Sequence, residues 1–293
     1  MQTDPIEILK QYVTHASVST DSSYGEGMDG ARTYAGSLLE AMGFEVEMVQ
    51  TAMHPIILAE RQAPEGSTHI IVYGHYDVQP ADPFEKWTTP PFEPVVRNGR
   101  LYARGSADNK GPTAVQLAAF ARVLKEQPDI PLRVTWLIEG EEETGSPSFP
   151  KFLEDYSGRL AEADFVILSD TSIPDHENMV ITTGLRGMSA VEVELTGPKV
   201  DLHSGVHGGA VMNPIRALAQ VCESLHDSDG RVNIPGFYDG VVEPAEWERA
   251  ELKRYPLDLE NYKKFLGVDA FNSTAGFTPM EAIRFGPTLE FNG

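Results

Sequence analysis

Cysteine is nearly absent from this chain of 293 residues, and Cys222 is the only one. A single cysteine cannot form a disulfide within the chain, which excludes a small scaffold stabilised by several disulfides. The flanking residues have the pattern of an amphipathic helix, so we interpret Cys222 as a free thiol and not as a nucleophile. A free thiol favours the reducing cytoplasm as the location of the protein.

Long apolar runs and basic residues are also scarce. No segment approaches the roughly 20 apolar residues that a membrane-spanning helix needs. The N-terminal residues show no basic region followed by an apolar stretch, so we expect no signal peptide. The chain has 23 basic and 44 acidic residues and a net charge of −21. This charge argues against nucleic acid or an anionic membrane as a partner.

The apolar residues of the first part of the chain predict strands that alternate with helices. Strands are expected at 45–49, 56–59, 69–73, 132–138 and 165–168, and helices at 5–15, 26–42, 111–127 and 149–156. The segment 95–102 predicts a hairpin that turns at Asn98-Gly99. Short continuous apolar strands indicate burial on both faces. We therefore expect an α/β fold with a mixed sheet covered by helices on both faces.

The pattern changes after residue 186, where we place a domain boundary. Residues 188–195 alternate between apolar and polar positions, which predicts a strand with one wet face. The segments 214–225 and 243–254 have the spacing of helices. The chain is thus predicted to contain a first domain at 1–186 and a smaller α+β domain at 187–293.

Acidic residues and one histidine stand at the ends of the predicted buried strands or in a loop before a helix. They are His75, Asp77, Asp108, Glu141, Glu142, Glu143 and Asp170. Ligands of an α/β sheet gather beyond the carboxyl ends of its strands, so these side chains can converge. Imidazole and carboxylate groups suit one or two divalent metals. A carboxylate left over from coordination can act as a general base, which is typical of metal-assisted hydrolysis.

Each cluster taken alone also has a structural explanation. His75 and Asp77 fit a strand-end histidine beside a turn aspartate, and Asp108 fits the cap of the following helix. The run from Glu141 to Glu143 fits a solvated acidic loop. However, three adjacent carboxylates beside a buried strand repel one another unless a cation is near. The combination of clusters is therefore more informative than any one of them.

Five stretches of the sequence together resemble the dipeptidase branch of the M20 metallopeptidases, of the cytosolic nonspecific dipeptidase and carnosinase type. They are Tyr73–Pro80, Trp87–Pro94, Arg104–Gly111, Glu142–Ser146 and Asp201–Gly205. The resemblance covers nearly the whole chain. It implies hydrolysis of the peptide bond in dipeptides or very short peptides. It also implies two divalent ions per subunit, zinc or manganese with cobalt as an alternative, and a homodimer formed through the second domain, which is a lid.

The resemblance implies metal ligands at four positions. His75 and Asp170 are expected as terminal ligands on different metals, and Glu143 as a further ligand. Asp108 is expected to bridge both ions, and its peptide bond to Asn109 is expected to be cis.

Catalytic roles follow from the same resemblance. Glu142 is expected to act as general base on a water that bridges the metals, and Asp77 to support His75. Glu141 receives no role. His203, in the lid, is expected to reach the active site of the neighbouring subunit and to stabilise the developing oxyanion, although an exposed loop residue is the alternative.

Family members are longer than 293 residues, so we expect this chain to be truncated at its C-terminus. The lid would then be incomplete, and one histidine ligand and the groups that bind the substrate carboxylate would be missing. Two other functions stay open at this point. One is an N-acyl-amino-acid deacylase of the same superfamily, and the other is a non-catalytic fragment that binds a metal or a partner.

Overall fold

Two units make up the chain, residues 1–171 and residues 172–293. The structure is a computed structural model and describes residues 1–171, 173, 175, 177–255, 257–273 and 276–292. The domain boundary that the sequence suggests after residue 186 stays a prediction.

The first unit is built on seven strands in two sheets. The strands are β1 (Glu45–Val49), β2 (Ile56–Arg61), β3 (Thr68–His75), β4 (Val95–Arg97), β5 (Arg100–Tyr102), β6 (Leu132–Glu139) and β7 (Phe165–Leu168). Five of them form a mixed sheet in the order β1-β2-β6-β3-β7, and β4 pairs with β5. Strands β6, β3 and β7 are parallel neighbours, whereas β2 runs antiparallel to both of its neighbours, β1 and β6. The carboxyl ends of three adjacent strands therefore meet at one edge of the sheet.

Helices cover both faces of the five-stranded sheet. They are α1 (Pro5–Tyr12), α2 (Gly25–Ala41), α3 (Lys110–Glu126) and α4 (Phe149–Leu160). Helices α1, α2 and α3 share one core with Trp136, while α4 packs Phe152 into a second core with Leu137. The predicted fold class is confirmed.

Strand β3 shows why its sequence lacks alternation. Ile70 and Val72 belong to the core on the side of α1, α2 and α3, whereas Ile71 belongs to the core beneath α4. Successive side chains of a strand point to opposite faces, so a strand that is buried on both faces needs a continuous apolar run. The hairpin of β4 and β5 turns as predicted, with φ of 51° at Asn98 and 74° at Gly99.

Two expectations about strands are wrong. Residues 165–168 do form a strand, but all four are exposed and not buried. In the described part of the chain β7 is an edge strand that pairs with β3 alone, and its side chains belong to neither of the two cores. The strand expected at 188–195 is absent from the structure. Those residues have no partner strand among the described residues, and an unpaired strand lacks the cross-strand contacts that stabilise a sheet.

The second unit is helical among its described residues. Its helices are α5 (Ser204–His207), α6 (Pro214–Ser224), α7 (Glu246–Lys253), α8 (Leu259–Leu266) and α9 (Pro279–Arg284). Helices α6 and α7 lie where helices were predicted. An ion pair of 2.5 Å between Arg249 and Glu281 links α7 to α9. Over the described ranges of both units, no helix has the length and apolar character needed to cross a membrane.

A buried lysine joins the start of α3 to the end of α1. The side chain of Lys110 is fully buried. Its Nζ donates to the backbone carbonyls of Tyr12, at 3.3 Å, and His15, at 2.6 Å. Carbonyls at a helix C-terminus carry partial negative charge, so they suit an ammonium group. Burial lowers the pKa of Lys110 to about 7, although the charge of Asp77 raises it.

The contribution of Lys110 to stability should therefore rise with pH above neutrality. The ordinary pKa of a lysine is 10.5, against about 7 for Lys110 in the folded protein. Between these pH values the unfolded state binds more protons at this lysine, so the contribution of Lys110 to the free energy of unfolding increases with pH. Lys110→Met should remove this increase in chemical denaturation measured from about pH 6 to about pH 10. Lys125→Met, at an exposed position of the same helix, is the control. An identical pH slope in Lys110→Met and the parent would contradict the assignment.

Candidate metal centre

Five of the predicted site residues converge at the carboxyl edge of the sheet. His75 ends β3, Glu142 and Glu143 lie in a 3₁₀ turn after β6, Asp170 follows β7, and Asp108 lies in the loop before α3. Nε2 of His75 lies 3.1 Å from Oδ1 of Asp108, 3.7 Å from Oδ2 of Asp170 and 4.0 Å from Oε2 of Glu142. The parallel order of β6, β3 and β7 explains why residues so far apart in the chain meet here.

The converging side chains form two groups that could each hold a metal ion. One group is His75, Asp108 and Asp170, and the other is His75, Glu142 and Glu143. Within each group the ligand atoms lie within 4.8 Å of one another. Over the described residues, His75 is the histidine of both groups. The placement differs from the expectation that His75 and Asp170 bind different metals, because β3 and β7 are adjacent and bring both side chains to the same position.

The orientation of His75 leaves one ring nitrogen facing the carboxylates. Nδ1 lies 3.0 Å from the backbone carbonyl oxygen of Asp77, which can only accept a hydrogen bond. Nδ1 therefore carries a hydrogen, and Nε2 faces Asp108. Burial lowers the pKa of His75, but the carboxylates of Asp108 and Asp77 raise it to about 11. The surroundings of Nε2 thus favour a positive charge, either a proton or a metal ion.

The charges of Glu142 and Glu143 lead to the same conclusion. Burial raises the pKa of both carboxyls, although the charge of His75 lowers it. Asp170 raises the pKa of Glu142 further, and Asp108 raises that of Glu143. Like charges in a partly buried cluster disfavour ionisation unless a cation offsets them. One imidazole and several carboxylates are also the donor set that zinc and manganese accept, so the residues fit a divalent metal centre.

Asp77 connects the two sides of the centre. Its side chain is fully buried. Oδ2 accepts hydrogen bonds from the Ser19 hydroxyl at 2.7 Å and from the backbone N–H of Glu143 at 3.1 Å. Oδ1 lies 3.3 Å from Nδ1 of His75. A carboxylate placed behind a ligand histidine fixes the orientation of the ring, which is the supporting position expected for Asp77.

The Asp108 loop is fixed by its neighbours and not by capping α3. The Asp108–Asn109 peptide is cis, as the resemblance implies. Nδ2 of Asn109 donates to Oδ1 of Asp170 at 2.9 Å, and Thr113 donates to Oδ1 of Asn109 at 2.8 Å. Gly111 has to be a glycine here, because a Cβ at this position would lie 2.0 Å from the carbonyl oxygen of Ser106. The carboxylate of Asp108 is consequently free to face His75.

Three residues that hold the candidate ligands were not identified from the sequence. Besides Ser19 and Asn109, Gln79 donates from Nε2 to Oε2 of Glu143 at 2.8 Å. Asn109 and Gln79 lie inside the stretches that resemble the M20 family, so their positions carried a signal. Ser19 had none, because it contacts Asp77 across 58 positions of sequence.

His203 lies in the second unit, and its role stays a prediction. It precedes α5, and its Nδ1 accepts a hydrogen bond from the backbone N–H of Gly205 at 3.0 Å. Glu141 lies next to Glu142 but is buried, and its carboxylate points into the protein.

Comparison with known proteins now identifies the class. Residues 71–265 match the family model described as "Peptidase family M20/M25/M40". The chain belongs to this family of peptidases, which confirms the resemblance seen in the sequence motifs.

Three relatives define the neighbourhood. Human "Beta-Ala-His dipeptidase" is 36% identical over 218 residues, which cover 74% of this chain and 43% of that protein. "Cys-Gly metallodipeptidase dug1" of Schizosaccharomyces pombe is 30% identical over 273 residues, covering 89% of this chain and 57% of that protein. The crystal structure of an M20 family metallo-carboxypeptidase from Sulfolobus solfataricus has a TM-score of 0.74 and 31% identity, covering 97% of this chain and 62% of that one. The chain spans about half the length of the curated relatives it matches.

Binding of a metal ion should release protons. Below a pKa of about 11, His75 carries a proton that a metal ion has to displace, so the affinity for the ion should rise with pH. Titration calorimetry with manganese in two buffers of different ionisation enthalpy measures the number of protons released.

The matched control for this measurement is His69→Gln. His69 is a buried histidine of the same strand, and its Nε2 lies 2.9 Å from the Thr135 hydroxyl, outside the candidate ligand groups. This variant should release as many protons as the parent. Binding heats that do not depend on the buffer would show that the ion does not displace a proton from His75.

Proposed function

We propose that the protein hydrolyses the peptide bond of dipeptides or very short peptides, with two divalent ions of zinc or manganese. The observation that carries the proposal is the convergence of His75, Asp108, Asp170, Glu142 and Glu143 at one edge of the sheet. Membership of the M20/M25/M40 peptidase family supports the reaction type. The names of the human and Schizosaccharomyces pombe relatives support a dipeptide substrate.

The ligand groups suggest how the ions are divided. His75 and Asp170 would hold one ion together with Asp108, and Glu143 would hold the second. Asp108 is the residue suited to serve both, because its carboxylate lies beside His75 and its negative charge also acts on Glu143. When bound, such ions polarise the substrate carbonyl and lower the pKa of water.

Glu142 is the general base in this proposal. Burial and the charges of Glu143 and Asp170 raise the pKa of Glu142 towards neutral pH, where a general base is most effective. Glu142 accepts a proton from the attacking water while the water oxygen bonds to the carbonyl carbon. It then passes that proton to the amine nitrogen as the C–N bond breaks. Asp77 keeps His75 and the backbone of Glu143 in place during these steps.

A comparison of two substrates tests the proposal directly. With added manganese or zinc, the chain should turn over a dipeptide faster than an N-acetyl amino acid. The opposite preference would favour the N-acyl-amino-acid deacylase. Absence of turnover on both substrates, with ions bound, would favour a non-catalytic metal-binding protein.

Glu142→Gln should abolish most of the activity without preventing ion binding. The amide keeps the size of the side chain but cannot accept the proton, so kcat should fall by about 10² to 10⁴. Metal content is measured by elemental analysis and kcat by dipeptide turnover. Glu154→Gln, at an exposed position of α4, should leave both unchanged. Turnover by Glu142→Gln at the parent rate would assign the base elsewhere.

Location and assembly are part of the same proposal. We propose a cytoplasmic homodimer in which His203 of one subunit serves the site of the other, and whose partner is the peptide substrate and not nucleic acid or a membrane. The net charge of −21 supports the exclusion of these polyanionic partners. Sedimentation of the chain as a monomer at all accessible concentrations would rule out the dimer.

A further inference from the structure

The proposed function leaves one residue of the acidic motif unused, and that residue is the most buried of the three. Glu141 is 2% exposed, whereas Glu142 and Glu143 are only partly buried. Burial of a carboxylate is unfavourable unless hydrogen bonds satisfy the charge. Glu141 therefore needs hydrogen-bond donors inside the protein.

Both oxygens of Glu141 accept hydrogen bonds from neutral donors. Oε1 accepts from the hydroxyl of Thr51 at 2.8 Å and from the backbone N–H of His54 at 2.9 Å. Oε2 accepts from the backbone N–H of Ser148 at 2.9 Å. Thr51 and His54 lie in the loop between β1 and β2, and Ser148 is the residue that precedes α4. One carboxylate thus joins the start of α4 to the 51–54 loop, in which Thr51 lies 90 residues before Glu141.

The backbone of Glu141 closes the turn that carries the proposed base and ligand. Its carbonyl oxygen accepts hydrogen bonds from the backbone N–H groups of Thr144, at 3.0 Å, and Ser146, at 2.8 Å. The Thr144 hydroxyl donates to the same oxygen at 2.9 Å. Gly145 and Ser146 have positive φ angles of 83° and 52°, which reverse the chain at this point. Residues 142 and 143 are enclosed in this turn, so their directions depend on the position of residue 141.

A closed ring of contacts connects Glu141 to the other side of the centre. Nε2 of His54 lies 3.2 Å from the carbonyl oxygen of Ser19, and the Ser19 hydroxyl donates to Asp77. Asp77 accepts from the backbone N–H of Glu143, two residues after Glu141. The ring therefore runs from Glu141 through the 51–54 loop and back to the turn. Hydrogen-bond networks of this kind fix the groups they join more strongly than isolated contacts do.

We propose that Glu141 is a positioning residue that sets the direction of Glu142 and Glu143 from inside the protein. It acts through the turn and through the 51–54 loop, without contact to substrate or ion. The proposal rests on the proposed function for the roles of Glu142 and Glu143. Glutamine cannot replace it, because one of the two acceptor oxygens becomes an N–H donor that faces another donor. A small misplacement of a catalytic group lowers the rate more than it lowers substrate binding.

The test compares Glu141→Gln with a matched pair at Thr51. Thr51→Val keeps the shape of the side chain and removes the hydroxyl, while Thr51→Ser keeps the hydroxyl. In Glu141→Gln, kcat for a dipeptide should fall at least about tenfold while KM changes less than about threefold. Thr51→Val should change kcat in the same direction by a smaller factor, and Thr51→Ser should retain it.

Amide hydrogen exchange supplies a readout that needs no activity. Exchange across residues 142–148 should be faster in Glu141→Gln by about tenfold or more, with strand β3 unchanged. The control is Glu60→Gln, which removes another largely buried carboxylate of the same unit. Glu60 lies on β2, and its carboxylate forms an ion pair of 2.6 Å with Arg159. Glu60→Gln should lower stability without changing kcat or the exchange of 142–148.

Three results would overturn the proposal. The first is exchange of 142–148 in Glu141→Gln at the parent rate. The second is faster exchange with unchanged kcat, which would make the residue structural only. The third is a fall in kcat in Glu141→Gln that is no larger than the fall in Glu60→Gln, when the two variants are equally stable. If the parent hydrolyses no dipeptide, the proposed function fails, and exchange together with the affinity for manganese still decides whether Glu141 holds the turn. If Glu141→Gln does not fold, Thr51→Val and Thr51→Ser decide it.

Discussion

The negative charge collected at the carboxyl ends of β6, β3 and β7 is the constraint on which the centre depends. The side chains that orient these carboxylates are largely neutral: Ser19 on Asp77, Gln79 on Glu143 and Asn109 on Asp170. Such donors fix direction without removing the charge. Among the candidate ligands of the described residues, His75 is the group that can carry a positive charge, and its ring is already held by Asp77. The arrangement therefore favours a cation at Nε2 of His75, either a proton or a metal.

Much of the first unit could be predicted from the sequence because local pattern and burial agree there. The apolar runs of β3 and β6 reflect burial on both faces, and Asn98-Gly99 reflects a turn that needs positive φ. Strand β7 has an equally apolar sequence, yet it is exposed, because its position at the edge follows from strand order and not from its residues. The alternation of apolar and polar residues at 188–195 likewise fits the two faces of a strand, but a strand also needs a partner strand.

The candidate site was predictable to the extent that ligands follow strands. His75, Asp170 and the glutamates were found because they stand at strand ends or in motifs that resemble a known family. The proximity of His75 to Asp170 was not predicted, since it depends on β3 and β7 being neighbours. The supporting contacts of Ser19 and Thr51 were not predictable either, because each connects segments more than 50 residues apart and neither residue type is unusual in a loop.

Asp77 has a further consequence for the way ions are taken up. Its carbonyl oxygen and Oδ1 face His75, while its Oδ2 accepts from the backbone of Glu143. One buried residue therefore restrains a ligand of each proposed ion. If two ions bind as proposed, an ion held by His75 would restrict Asp77 further and, through it, the turn that holds Glu143, so less conformational entropy would be lost when the second ion binds. Such coupling would be reciprocal whichever ion binds first.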